Sequence, residues 1–185
     1  MSEKDRLISS TILSKAFKKL YENPLTNIGC TVGLINEDDY YNWKCTLKAP
    51  KDSPYQGGYF QIFIKFPITY PFDGPEVIFN TPIFHLNINP VKTKNEKLGH
   101  VCIQSVNSWN PDYSIEDLLF SIYGLFYVTN RESAFLGYGE EALNEFTNDK
   151  NAYNKRVKYF TQKYANGKTI NSGTERWDFN YVKDN

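Results

Sequence analysis

The stretch LGHVCIQSVNSWNP (98–111) holds the residues best suited to chemistry. Cys102 lies in a short apolar, strand-like patch, two residues after His100. In an extended segment residues 100 and 102 share a face, so a cysteine–histidine pair for nucleophilic attack is one reading. No Asn or Asp is identifiable to orient such a histidine. A lone cysteine in an apolar patch is, by default, a core residue. On the residues alone, buried thiol and displayed nucleophile both stand. The second would need thiolate, of which an ordinary thiol near pKa 8.5 supplies only a few per cent at neutral pH.

Other reactive groups are sparse. His85 and His100 are the two histidines, and Cys30, Cys45 and Cys102 are three cysteines without CxxC spacing. A Cys/His zinc site would lack ligands, and no metal or cofactor is expected. An odd cysteine count with no framework suits a reducing compartment. The start, MSEKDRLISSTILSKAFKK, is charged and has no apolar h-region. Lys+Arg and Asp+Glu balance at 21 each. That removes the general electrostatic reason for nucleic acid or an anionic membrane as partner. LLFSIYGLFYV (118–128) is the longest apolar run, the length of a buried helix rather than of a membrane span. The expectation is a cytoplasmic and/or nuclear protein.

The elements that must position this stretch read as an α+β chain. Leu13, Phe17 and Leu20 recur at i, i+4 and i+7, predicting a helix with Lys15, Lys18 and Lys19 outside its apolar stripe and Pro24 after its end. Four strand-like runs follow: GCTVGLIN, YYNWKCTLKAP, GYFQIFIKFP and EVIFNTP. In the third, Phe60, Ile62, Ile64 and Phe66 alternate onto one face. Short connections rich in turn residues predict an antiparallel meander. Residues 81–113 have little periodicity, and so long an irregular stretch in a compact domain is usually functional. Helices then resume. Ser114 with Asp117 forms a capping-box start for a helix over 118–128, and GYGEEALNEFTND and NAYNKRVKYFTQKYA read as two more. The expected division is a core over 1–165 and a C-terminal tail over 166–185, in which Trp177, Phe179 and Tyr181 alternate.

These residues closely resemble the ubiquitin-conjugating enzyme family, from about residue 12 to 165. The markers are SPYQGG (53–58), the FP, YPF and P of 66–75, HLN (85–87), Cys102 followed by Trp109-Asn-Pro, and TQKYA (161–165). The resemblance implies a UBC-like fold in which Cys102 carries ubiquitin, or a ubiquitin-like modifier, as a thioester received from an activating enzyme. The modifier then passes to a substrate lysine or a ligase cysteine. It implies an oxyanion-stabilising or closely related structural role for Asn87 and a structural, loop-holding role for His85. Ligase docking, of RING or HECT type, falls to Phe72, Pro111 and the first helix. Lys15 and Lys19 match the face that meets the activating enzyme.

Three departures qualify the resemblance. Leu86 replaces the motif proline, which predicts a less rigid loop. PVKTKNEKLG (90–99) lengthens the stretch before the cysteine with Lys92, Lys94 and Lys97, and is expected beside the site as a solvated loop, a gate or a partner contact. NRESAF (130–135) stands where an acidic residue orients the incoming lysine in many members, placing Ser133 there with Glu132 adjacent; Glu132 or Asp112 is the candidate substitute. Asp112 also stands where a small residue is common, which weakens the match for RING docking. The alternative is a catalytically weak or inactive variant that acts as a ubiquitin- or partner-binding module. A cysteine hydrolase is disfavoured, because a base beside the thioester would promote its hydrolysis.

Overall fold

A computed structural model describes residues 3–102, 106, 108–130, 132, 134–135, 139–167 and 177. Helix α1 spans Glu3–Glu22. Its stripe is the expected one: Leu13 and Leu20 are buried, and Phe17 sets its ring edge-on against Trp43 at 5.3 Å. The four strands are β1 (Cys30–Leu34), β2 (Asn42–Lys48), β3 (Tyr59–Lys65) and β4 (Glu76–Phe79), paired antiparallel in chain order. The register places Trp43 opposite Ile64, Cys45 opposite Ile62, and Ile62 opposite Phe79. One face of the sheet is therefore continuous apolar core, as the period of two requires.

Helix α2 (Ile115–Gly124) begins as expected. Ser114 accepts from the Asp117 amide, and the Asp117 carboxylate accepts from the Ser114 amide, satisfying two end donors reciprocally. It ends earlier than the apolar run. After Gly124 the chain tightens into i→i+3 bonds, Leu125 to Ile122 and Phe126 to Tyr123. Tyr127 and Val128 emerge exposed. The reason is long-range: His85 takes the carbonyls of Leu125 and Val128, so they are not available to a further helical turn.

Helices α3 (Gly139–Asn148) and α4 (Lys150–Tyr164) are pinned to each other by buried Arg156, whose guanidinium reaches Glu141 at 2.9 Å and Glu145 at 3.2 Å. The irregular stretch begins inside the core. Residues 81–90 are buried without a break, and Tyr55 Oη donates to the Phe84 carbonyl at 3.0 Å to hold them down. Among the described residues no helix is long and apolar enough to cross a membrane.

Candidate active site

Cys102 sits on a short hairpin that the sequence pattern did not resolve. The Cys102 amide donates to the Asn87 carbonyl at 2.9 Å and the Asn89 amide to His100 at 2.9 Å, with Ile88 bridging Val101 between them. The returning segment also lies along β4, since Phe79 donates to Gly99 and Val101 to Val77. The hairpin is thus an extension of the sheet, and Cys102 is fixed by backbone bonds on a three-strand support.

The three thiols divide by environment. Cys30 and Cys45 face the core from β1 and β2; burial pushes the Cys30 thiol up to about 11 and the Cys45 thiol well above its ordinary value. Neither can supply thiolate near neutrality. Cys102 is only half-buried. His100, two residues earlier, holds its Nδ1 on the Glu96 carboxylate at 2.9 Å.

Residues 85–87 hold the loop that follows α2. His85 is fully buried; its Nδ1 accepts from the Asn87 amide at 3.1 Å, which leaves Nε2 to donate to Leu125 at 3.0 Å and Val128 at 3.2 Å. This ring is neutral. Burial pushes its pKa down to about 4, outweighing the carbonyl bonds that pull it up. The Leu86 carbonyl accepts from the Phe135 amide at 2.8 Å. Asn87, also buried, closes a two-point clamp: its Nδ2 donates to the Asn130 carbonyl and its Oδ1 accepts from the Asn130 amide, both at 2.7 Å. Three successive residues therefore tie the 125–135 loop to the strand that pairs with Cys102. Asn130 and Tyr55 are contributors that sequence reading did not single out.

The buried histidine has a consequence for stability. The unfolded chain binds a proton on residue 85 near pH 6.5, while the folded chain resists it down to about pH 4. Stability is therefore undiminished above pH 6.5 and falls as pH drops through that window, by up to about 3 kcal/mol. Urea midpoints measured from pH 7 to pH 4 should decline accordingly. His85→Gln, less stable at neutral pH, should lose that part of the slope.

The remaining predicted residues are distributed around this centre. Glu132 is exposed, its amide donating to Asn130 Oδ1 at 2.9 Å; Ser133 lies outside the described residues. Phe72 is 77% exposed, and Pro111 is exposed on a neighbouring turn. Those two turns are joined, because Trp109 Nε1 donates to the Pro71 carbonyl at 2.7 Å and the indole lies where a Gly74 side chain would be. Lys15 is exposed on α1. Lys19 bonds Glu116 on α2 at 2.7 Å, a hydrogen bond that raises its pKa. Among the described residues no three His, Cys, Asp or Glu side chains gather as a metal-ligand set.

The 90–99 loop joins the two strands of the hairpin. Pairing begins at Asn89 with His100, and three residues of extended chain, about 10 Å, separate Gly99 from Cys102. The loop is also tied down: Lys97 reaches Glu76 at 2.6 Å, and Asn89 Nδ2 donates to the Lys97 carbonyl at 3.0 Å.

A half-exposed thiol on a rigid hairpin, beside a loop clamped by His85 and Asn87, is carried by a helix–meander–helix scaffold. The family model for ubiquitin-conjugating enzymes matches residues 13–161, the span that contains every one of these elements except the first turns of α1 and the end of α4. The chain belongs to the ubiquitin-conjugating enzyme family.

Proposed function

We propose that Cys102 accepts the C-terminal carbonyl of ubiquitin, or of a ubiquitin-like modifier, and hands it on. In the first step the Cys102 thiolate attacks the modifier's thioester on an activating enzyme. A new C–S bond forms, the old one breaks, and the activating enzyme's thiolate leaves. In the second step a substrate amine or a ligase thiol attacks the same carbonyl. The Cys102 thiolate leaves, and an attacking amine gives up a proton as its C–N bond forms.

The observation that carries this reading is the contrast among the thiols. Two are buried with raised pKa values, and the third is half-exposed on backbone-locked support. Asn87 acts chiefly by position in this reading, because its carboxamide is committed to Asn130 through both its oxygen and its nitrogen. Glu132, on the exposed side of the same loop, orients an incoming ammonium group. Phe72 and Pro111 offer an apolar ligase contact on joined turns. Lys15 faces the activating enzyme, and Lys19 joins it only in competition with Glu116.

The test is to incubate the protein with activating enzyme, ATP and ubiquitin, then analyse it with and without reducing agent. A thiol-sensitive adduct mapped by mass spectrometry to residue 102 supports the proposal. A folded sample that forms no adduct with ubiquitin or its relatives, or forms it elsewhere, overturns it. Asn87→Ala should remove two hydrogen bonds, costing about 1–3 kcal/mol in urea unfolding. It should also slow discharge of the loaded thioester roughly ten- to a hundredfold, with charging by the activating enzyme nearly unchanged. Single-turnover discharge to free lysine separates those two effects.

A further inference from the structure

We propose that Trp177 is a positioning residue for Cys102, seated at the loop end of the hairpin that carries the thiol. The family match ends at residue 161 and α4 at Tyr164, so Trp177 lies beyond both. Yet it is 2% exposed and belongs to the same apolar core as the sheet and helices. Its backbone amide donates to the Pro90 carbonyl at 3.0 Å.

Pro90 is where the hairpin needs a pin. Asn89 is the last residue of the outgoing strand to be paired on both sides, its amide to His100 and its carbonyl from Gly99. Pro90 follows it, buried, with no amide of its own and a carbonyl that must find a donor. Trp177 supplies that donor from its backbone, and its side chain is buried in the core. The hairpin is thereby held at both ends, by the Asn87–Asn130 clamp beside Cys102 and by Trp177 beside Pro90. The outgoing strand sets the height of the Asn87 carbonyl, and that carbonyl receives the Cys102 amide. Removing the buried indole opens a cavity at the Trp177 seat, loosens the hold of its backbone amide on the Pro90 carbonyl and lets the strand separate more often from its partner. The thiol then spends more time away from the geometry in which its thioester is attacked. This role rests on Cys102 being the acylated thiol.

The experiment compares wild type, Trp177→Ala, Trp177→Phe and a chain ending at Gly167, by amide hydrogen exchange and by discharge of preformed thioester to free lysine. In Trp177→Ala, exchange at Asn89, Gly99 and Cys102, whose amides bond across the hairpin, should accelerate about tenfold or more, with the β2 and β3 amides unchanged. Discharge should slow about tenfold at unchanged charging KM, and the shortened chain should match or exceed both effects. Trp177→Phe should return both quantities to within about threefold of wild type, since an aromatic ring still fills the seat. Unchanged exchange at Asn89, Gly99 and Cys102 would overturn the proposal. So would an equal acceleration in every strand, which marks Trp177 as general core, or local acceleration with discharge unaffected. Absence of any thioester on the wild type would overturn the assignment of Cys102, and the positioning role with it; the exchange comparison would still report whether the Pro90 seat holds the hairpin.

Discussion

Cys102→Ala is expected to abolish the thiol-sensitive adduct, lowering its rate of formation by about three orders of magnitude or more, because no other group replaces the attacking sulfur. Cys30→Ala and Cys45→Ala should leave the adduct intact and instead cost about 1 kcal/mol each in unfolding measurements, the usual effect of trimming a buried side chain. The contrast follows from exposure: the two core thiols face inward from the sheet, and the third stands on the hairpin within reach of a partner. Cys102→Ser gives a sharper result. A hydroxyl attacks far more slowly than a thiolate, and any product is an oxygen ester that survives reducing agent. A slowly formed, reductant-resistant adduct on the serine variant, with none on alanine, would fix the acylated atom. An adduct of undiminished rate on the alanine variant would end the proposal.

Gly99→Ala is expected to be the most damaging small substitution in the hairpin. Gly99 has φ +78°, a conformation an L side chain rarely adopts, and a Cβ there would run into the Phe79 carbonyl oxygen. The same residue accepts from the Phe79 amide and donates to Asn89. It cannot move without loosening β4 and the outgoing strand together. Backbone strain of about 1–3 kcal/mol and overpacking of a similar size give a loss of about 3–5 kcal/mol, a large share of a typical domain's stability. Urea unfolding should place the midpoint of Gly99→Ala well below wild type. A change under about 1 kcal/mol would mean that the strand relaxes freely, and the rigid support argued for Cys102 would not exist.

How far the sequence could be read depended on how local each cause was. The strands were legible because Phe60, Ile62, Ile64 and Phe66 alternate, and burial of that face follows from the alternation alone. The start of α2 was legible for the same reason, since Ser114 and Asp117 are three residues apart. Its end was not. His85 captures the Leu125 carbonyl from 40 residues away, and nothing near Gly124 announces that contact. The Asn87–Asn130 clamp spans 43 residues and was likewise hidden. The resemblance put Cys102, His85 and Asn87 in one neighbourhood, but which atoms of Asn87 were committed, and to what, required coordinates. Trp177 is the extreme case. Its alternation with Phe179 and Tyr181 hinted at docking, and only the pairing with Pro90 said where.

The hairpin also separates what can vary from what cannot. At one end, Asn87 and Cys102 stand in fixed register, with buried chain behind the asparagine and a clamped loop beside it. At the other end lies an exposed turn carrying Lys92 and Lys94, whose length enters none of the bonds that seat the thiol. Residues can be added or removed there as one adds links to the free end of a tethered chain, because the entropy of closing a longer turn rises only slowly with length. New contacts can therefore be tried out on this protein's surface at 91–96 without retuning the position of the sulfur some four paired residues away. That freedom is confined to 91–96 and ends at the Pro90 seat and the Asn89 pairs, which hold the thiol-bearing end in place.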